Sequence, residues 1–192
     1  MTADIYSIVL AAGSGSRFGS TKQLATYKGE ALVTRACRVA ESLTGARTLL
    51  VTGADCGSVM AERPLRSGFY VHNDAYACGM SGSIACGIRA ISGVADCALL
   101  LLADQPLITR EHLAALVRRS QSSPASIVAT AFAEQLGPPV IFPKALFGKL
   151  LALSGDRGAR SLIDEHRHLL QEIRFEDAAR DVDRPEDLAD LP

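Results

Sequence analysis

The sequence contains no tryptophan, and aromatic residues make up only 5% of its 192 residues. Long apolar runs are also missing, since the longest spans only Ala98 to Ala103, far short of the roughly 20 residues needed to cross a bilayer. The formal net charge is only -1, and the basic residues are spread along the chain. These features predict no membrane segment and no nucleic-acid partner. A membrane-spanning segment needs a long apolar run, and a nucleic-acid-binding protein usually has a basic surface.

Patterns typical of disulfides, metal sites and nucleophilic triads are absent as well. The five cysteines are odd in number and form no C-x-x-C pair, which favours reduced thiols over disulfides or a zinc site. The four histidines show no metal-site or triad spacing, and His112 is predicted to lie on the polar face of a helix. No basic segment precedes the first apolar run, so the sequence predicts no secretory signal and a cytoplasmic protein.

The chain does contain enough apolar material for one packed core. Hydrophobic residues make up 48% of it, and its length is typical of a single domain, so we predict one domain over residues 1–192. Runs rich in Val, Ile and Leu alternate with segments of helical period, which is typical of a parallel sheet covered by helices. The predicted strands are 5–10, 48–52, 69–72, 97–102, 127–131 and 169–175. The predicted helices are 31–42, 83–91, 109–120, 143–153 and 159–166. The Pro138-Pro139 step is predicted to begin a loop and an edge excursion.

The most informative segment follows the first predicted strand and reads LAAGSGSRFGSTKQL from Leu10. A buried strand that runs into a glycine-rich turn can hold a phosphate group, because free backbone N–H groups and nearby cations face the same anion. Arg17 and Lys22 are the candidate cations. The turn is neither a G-x-G-x-x-G nor a G-x-x-x-x-G-K-[ST] loop, because Phe18 stands where each of those motifs requires glycine.

Carboxylates that could hold a divalent cation occur at two places. Asp104 follows the predicted strand 97–102 and precedes Gln105-Pro106, so it is expected at the floor of a site at the carboxyl end of a strand. A turn-initiating Asp before Pro would look the same. Asp181 and Asp183 lie on one side of a short extended stretch, and either could complete the coordination. Asp183 also fits a helix cap, and we favour it over Asp181 as the second ligand.

The pattern L-A-A-G-x-x-x-R-[FM]-G-x-x-K-x-L resembles that of the nucleotidyltransferases which activate small phosphorylated compounds with a nucleoside triphosphate. Within this NTP-transferase or MobA-like superfamily, the chain is most similar to the molybdenum cofactor cytidylyltransferases (MocA-like enzymes). Its D-Q-P string stands where that family places its magnesium aspartate. The string that begins at Asp181 is similar to D-[IV]-D-T-P-E-D-L, with Arg184 in place of Thr. The resemblance implies a Rossmann-like three-layer α/β sandwich with a mostly parallel sheet, of the nucleotidyltransferase (GT-A-like) type.

The implied activity is the Mg²⁺-dependent transfer of CMP from CTP to the phosphate of molybdopterin, with release of pyrophosphate. The expected catalytic residues are Arg17, Lys22 and Asp104, and the expected Mg²⁺ ligands are Asp104 and Asp183. The expected nucleotide-binding residues are Leu10, Ala11, Ala12, Gly13, Ser14, Gly15, Arg17, Lys22, Gly79 and Ser83. The family string G-M-x-x-S-[LI] implies base recognition around Gly79 and Ser83. A glycine-rich turn with a serine helix cap would have the same sequence pattern. Ala12 favours CTP, because the guanylyltransferases usually show L-A-G-G.

Two further strings are candidates for binding the acceptor. Residues 155–160 place glycine-flanked Asp and Arg at a helix start, where a pterin phosphate could bind. A surface turn with a helix cap would show the same sequence pattern. Residues 137–139 read G-P-P where the family commonly has G-H-P, which leaves the identity of the acceptor open. The acceptor-binding candidates are Gly137, Pro139, Gly155, Asp156, Arg157 and Arg160.

The expected partners are therefore small molecules, CTP and molybdopterin, with a molybdoenzyme or its chaperone as a candidate recipient of the product. Two alternatives stay open at this point. One is a nucleotidyltransferase that uses GTP or acts on another small phosphorylated acceptor. The other is a binding module that senses nucleotide or carries the cofactor without catalysis.

Overall fold

The computed structural model describes residues 3–13, 15, 18–155 and 158–192. The candidate residues Ser14, Arg17, Asp156 and Arg157 lie outside the described residues. The strands are β1 (Ile5–Ala11), β2 (Thr26–Tyr27), β3 (Glu30–Ala31), β4 (Thr48–Thr52), β5 (Phe69–His72), β6 (Cys97–Leu102), β7 (Ile127–Phe132), β8 (Gln135–Pro143) and β9 (Leu170–Arg174). The α-helices are α1 (Leu32–Thr44), α2 (Cys56–Ala61), α3 (Met80–Ile91), α4 (Arg110–Ser122), α5 (Phe147–Leu151) and α6 (Arg160–Glu165). None of the helices in the described part of the chain is long and apolar enough to cross a membrane.

Seven of the described strands form one sheet in the order β5-β4-β1-β6-β8-β7-β9. Neighbouring strands are parallel except at β8, which runs antiparallel to β6 and β7. The chain moves outward from β1 to β4 and β5, and then returns to β6 on the other side of β1. The carboxyl ends of β1 and β6 therefore border the point where the strand order reverses, and open α/β sheets bind ligands at such a point.

Helices cover both faces of this sheet. Successive side chains of a strand point to opposite faces, and both faces of the central strands are apolar. Ile8 of β1 packs in one apolar cluster with Ile88 of α3, and α5 and α6 contribute to the same cluster. Val9, the next residue of β1, packs in a second cluster with Leu113 of α4, to which α1 also contributes. The mostly parallel sheet between two helical layers confirms the predicted three-layer fold.

The predicted strands are all present, and three of them match β4, β5 and β6 residue for residue. The prediction for the Pro138-Pro139 region is wrong, because β8 lies inside the sheet between β6 and β7. The pairing of β7 with β8 shifts register here, since Ala129 pairs with Val140 but Thr130 pairs with Gly137. Both prolines thus fall in an irregularity of the β7 ladder and outside the residues that pair with β6, where a missing N–H is tolerated.

The prediction for His112 is also wrong. Its side chain is only 5% exposed, its ring stacks on Phe175 with centroids 4.4 Å apart, and Nε2 lies 2.8 Å from Thr130 Oγ1. The sequence pattern alone did not reveal that α4 turns this residue toward β7. Sequence reasoning also missed α2 and the hairpin of β2 and β3, because both are too short to show a period.

Candidate functional site

An open cleft of about 520 Å³ lies at the carboxyl ends of β1 and β6. Its volume is within the range typical of small-molecule sites. Main-chain turns that follow β1, β5 and β6 all contribute to its walls. The cleft is lined by Leu10, Ala12, Gly13, Lys22, Gln23, Tyr76, Ala77, Gly79, Met80, Ser83, Leu102, Ala103, Asp104 and Asp183.

Three charged groups meet at one side of the cleft. Lys22 Nζ, in a 3-10 turn at Lys22–Leu24, donates hydrogen bonds to Asp104 Oδ2 at 2.6 Å and to Asp183 Oδ1 at 2.9 Å. The Lys22 side chain is 15% exposed and that of Asp183 54% exposed, so the cluster reaches from the floor of the cleft to solvent. The fold thus brings together residues that lie 82 and 161 positions apart in the sequence.

The charges of this cluster are strongly coupled. Burial by itself lowers the pKa of Lys22, but the carboxylates of Asp104 and Asp183 more than offset it and raise the pKa above its ordinary value. Desolvation of the Asp181 carboxyl group, together with the negative charges of Asp104 and Asp183, raises the pKa of Asp181 to about 6. Negative charge therefore accumulates at this side of the cleft, and Lys22 neutralises only part of it.

The donor atoms at this position fit a divalent cation. Asp104 Oδ1 is buried and has no hydrogen-bond partner among the described residues, so one carboxylate oxygen is left for a ligand. No group of three or more His, Cys, Asp or Glu side chains within the described ranges could hold a metal ion by itself. A pair of carboxylates that relies on phosphate oxygens and water for the remaining ligands is how Mg²⁺ is commonly bound. Asp183 lines the cleft and Asp181 does not.

The described part of the glycine-rich turn is held in a specific backbone conformation. Gly15 has a positive φ of 60°, and its carbonyl oxygen accepts the N–H groups of Phe18 and Gly19 at 2.8 and 3.2 Å. Gln23 Nε2 donates a hydrogen bond of 2.6 Å to the Gly13 carbonyl oxygen. These contacts place the turn directly beside Lys22, at the edge of the cleft.

The opposite wall is formed by the turn that leads into α3. Gly79 and Ser83 both line the cleft, and Ser83 Oγ accepts a hydrogen bond of 3.0 Å from Asn73 Nδ2. The side chains of Asn73 and Ser83 are buried. Because Asn73 donates to this oxygen, the Ser83 hydroxyl hydrogen is available as a donor.

Two predicted nucleotide-binding residues are close to the cleft without lining it. Ala11 packs with the apolar cluster on the other face of the sheet, because it alternates with Leu10 and Ala12 along β1. Gly15 shapes the turn but is not part of the cleft lining.

The predicted acceptor-binding residues are not gathered at one place. Gly155 lies against the start of α3, where its carbonyl oxygen accepts hydrogen bonds from the N–H and the hydroxyl of Ser81. Gly137 and Pro139 are buried in β8. Arg160 lines a different groove of about 470 Å³, where it donates to Gln135 Oε1 at 2.9 Å.

Sequence reasoning missed six residues that line the cleft, among them Gln23, Tyr76 and Met80. Gln23 stands inside the motif that contains Lys22, so its position next to that residue was a usable signal. Tyr76 begins a short 3-10 turn and Met80 is the first residue of α3, and both are exposed, so no periodic pattern marks their positions.

The sequence pattern of one protein family, described as the MobA-like NTP transferase domain, matches residues 7–170. This chain belongs to that family. The MobA-like NTP transferase domain thus spans the sheet from β1 to the start of β9, including the glycine-rich turn and Asp104. The predicted superfamily is confirmed, and the chain is a nucleotidyltransferase.

Named relatives of this MobA-like chain cover nearly its full length. It is 28% identical over 195 residues to purine catabolism protein PucB of Bacillus subtilis (strain 168), an alignment that covers 95% of this chain and 93% of PucB. A solved homologue of Rv0371c from Mycobacterium sp. strain JC1 is 27% identical, with a TM-score of 0.83 and coverage of 99% and 98%. Rv0371c of Mycobacterium tuberculosis H37Rv, solved as a complex with manganese, is 26% identical, with a TM-score of 0.79 and coverage of 98% and 97%.

Proposed function

We propose that this protein transfers CMP from CTP to the phosphate of molybdopterin, with a divalent cation, Mg²⁺, held by Asp104 and Asp183. The observation that carries this proposal is the meeting of Lys22, Asp104 and Asp183 in one cleft beside a glycine-rich turn. The same side of the cleft offers a cation, a buried carboxylate oxygen that has no partner among the described residues, and a backbone turn suited to phosphate.

The reaction brings two polyanions together, so neutralising and positioning their charges accounts for most of the barrier that an enzyme must lower. A bound Mg²⁺ would supply Lewis-acid stabilisation to the phosphate oxygens. Lys22 donates to the triphosphate as a point charge once its carboxylate partners are engaged elsewhere. Arg17 is proposed to make a bidentate contact with the β- and γ-phosphate oxygens, which a guanidinium group can do. No protein nucleophile is required, because the acceptor phosphate attacks the α-phosphorus.

The apolar floor and the opposite wall support cytosine as the base. The methyl group of Ala12 lines the cleft and takes up space that a glycine would leave to a larger base. The Ser83 hydroxyl, fixed by Asn73, can donate to the ring carbonyl of a pyrimidine. Gly79 lets the base approach the backbone closely.

Molybdopterin as the acceptor is supported by the family motifs and by the position of one acceptor string. The hydrogen bonds between Gly155 and Ser81 place Gly155, the first residue of the 155–160 string, close to Met80, which lines the cleft. A phosphate bound near the start of α6 would then lie on the same side as the base-binding wall. Asp156 and Arg157 remain proposed contacts on the strength of the motif.

The decisive experiment is pyrophosphate release by the Asp104→Asn variant. Loss of the buried carboxylate charge should lower kcat/KM by roughly 100-fold or more, because it removes both the metal ligand and the partner of Lys22. Asp164→Asn is the matched control, since Asp164 is an exposed carboxylate paired with Arg167 outside the cleft. Turnover by Asp104→Asn at the rate of the control would contradict the proposal.

The donor and acceptor are tested by incubating the purified protein with Mg²⁺, molybdopterin and either CTP or GTP, and identifying the dinucleotide by mass. We expect the cytosine dinucleotide. A guanine dinucleotide, or pyrophosphate release only with another phosphorylated acceptor, would keep the nucleotidyltransferase chemistry and replace the proposed substrates.

A further inference from the structure

We propose that Gln105 is a positioning residue for the metal-binding carboxylates, because its side-chain amide holds the segment that carries Asp183 against the strand end that carries Asp104. This segment, residues 178–183, is called the C-terminal arm below. The inference rests on the proposed function, since it concerns the same two carboxylates.

The Gln105 side chain is placed where it can act only through other groups. It is 4% exposed and does not line the cleft, so it does not touch a substrate there. Its Nε2 donates one hydrogen bond to the Ala178 carbonyl oxygen at 3.0 Å and another to the Pro138 carbonyl oxygen at 3.3 Å. A single amide therefore donates to carbonyl groups from two chain segments that are distant in sequence.

A second hydrogen bond fastens the C-terminal arm at its other end. The Val182 N–H donates to the carbonyl oxygen of Asp104 at 2.9 Å. The arm is thus attached at Ala178 to Gln105 and at Val182 to Asp104, and these two anchoring residues are consecutive in the sequence. Asp183 follows directly after the second tie, and its carboxylate reaches Lys22 at 2.9 Å.

The C-terminal arm depends on these hydrogen bonds because it does not pair with a strand of the sheet. It begins within a 3-10 turn at Glu176–Ala179 and continues without regular secondary structure to Asp183. Asp183 and Arg184 donate their N–H groups to Asp187 Oδ2, which orders the following turn but does not attach it to the sheet. Without the amide of Gln105, the Ala178 and Pro138 carbonyl groups would lose a buried donor, and the arm would lose its side-chain attachment at Ala178.

Residues that orient a metal ligand through hydrogen bonds typically contribute 10- to 100-fold to metal affinity. We therefore expect Gln105→Met, which keeps the length and removes the donor, to weaken Mn²⁺ binding to the purified protein by roughly 10-fold or more. The affinity is measured by calorimetric titration with the Mn²⁺–CTP complex, because the two carboxylates rely on phosphate oxygens for the remaining metal ligands. In the pyrophosphate assay, the half-saturating Mn²⁺ concentration should rise while kcat at saturating Mn²⁺ stays within about twofold of the parent value.

The matched control is Thr44→Val. Thr44 is buried and hydrogen-bonds with Ser7 and Thr48 near the end of α1, so this change also removes buried hydrogen bonds, outside the lining of the cleft. It should lower the melting temperature and leave Mn²⁺ affinity within about twofold. Gln105→Asn, which keeps a shorter amide, provides a milder second variant, and a cooperative melt with weakened Mn²⁺ binding is expected for it.

Parent-like Mn²⁺ affinity in a folded Gln105→Met protein, or in Gln105→Asn where the first variant does not fold, would overturn the inference. Equal weakening by Thr44→Val would also overturn it, because the effect would then be one of general stability. Asp104→Asn separates this failure from that of the proposed function. If Asp104→Asn binds Mn²⁺ as the parent does, the proposed metal site itself is wrong.

Discussion

Gly15 shows how a single backbone position constrains the glycine-rich turn. Its φ is positive, and a Cβ at this position would lie 2.5 Å from the Ser20 carbonyl oxygen and 3.0 Å from the Lys22 nitrogen. Both obstacles are main-chain atoms, so neither can move aside as a flexible side chain would. Gly19 shares the positive φ but has open space around its Cβ position.

Gly15→Ala should therefore displace the backbone at Lys22 and raise the KM for CTP by roughly 10-fold or more. Gly19→Ala carries only the conformational cost of a left-handed residue, roughly 1–2 kcal/mol, and should leave KM within about twofold. Steady-state kinetics on both variants checks this. Equal KM values for the two variants would show that the contact at Gly15 is unimportant for binding.

His112 illustrates a buried titratable group in the core. Thr130 Oγ1 donates to the Pro139 carbonyl oxygen at 2.6 Å, so its only hydrogen is used and His112 Nε2 must be the donor in the 2.8 Å contact. Burial lowers the pKa of His112 from 6.5 to about 4. The unfolded chain therefore takes up a proton at a higher pH than the folded protein does.

The burial of neutral His112 is compatible with full stability above pH 6.5, and the free energy of unfolding is expected to fall as the pH drops from about 6.5 to about 4. The shift corresponds to about 3 kcal/mol from this residue. His112→Gln keeps a donor toward Thr130 and does not titrate, so its free energy of unfolding should fall less between pH 7 and pH 4 than that of the parent. Urea unfolding at several pH values measures both curves. Parallel curves would contradict this assignment.

A small apolar cluster connects elements that meet at the cleft. Tyr27, Leu32, Leu107 and Val182 form its buried centre, and Phe18 packs against it. The cluster therefore joins the glycine-rich turn, the β2–β3 hairpin, the start of α1 and the C-terminal arm. Packing at Val182 supports the neighbouring Asp183 in addition to the hydrogen bonds of the arm.

Val182→Ala should lower the free energy of unfolding by about 1–3 kcal/mol through the cavity it leaves. Val128→Ala in β7 is the matched control, because this valine is also fully buried but belongs to another cluster. Both variants should lose comparable stability in urea unfolding. Only Val182→Ala should raise the half-saturating Mn²⁺ concentration in the pyrophosphate assay. The same rise in Val128→Ala would mean that the cluster has no specific role.

The cleft is assembled from segments spread over the whole chain, so a bound substrate should stabilise the entire fold. CTP with Mg²⁺ at 100 times its dissociation constant should add about 2.7 kcal/mol, which corresponds to roughly 5–10 °C in melting temperature for a chain of this size. Thermal melts with and without CTP measure the shift. Asp104→Asn should show a clearly smaller shift, and an equal one would place CTP elsewhere. That residues 1–192 act as one domain stays a prediction.

Much of the architecture follows from local patterns. The strands β4, β5 and β6 are runs of Val, Leu and aromatic residues bounded by polar turns, and such runs have a strong local signal. The glycine-rich turn and Lys22 were recognisable for the same reason, since their motif is contiguous. The Pro138-Pro139 strand and the buried His112 were missed, because local rules for proline and histidine are overruled by register shifts and helix packing.

The sequence by itself determined six of the seven sheet strands, the longer helices, the class of fold and the motif residues, because each depends on side chains close together along the chain. The tertiary structure determined that Asp104 and Asp183 share one lysine, that Gln105 fastens the C-terminal arm, and that Ala11 faces away from the cleft. These relations depend on how strands are ordered in the sheet and on which face each side chain takes. No spacing along the chain encodes the distance between residues that lie 161 positions apart.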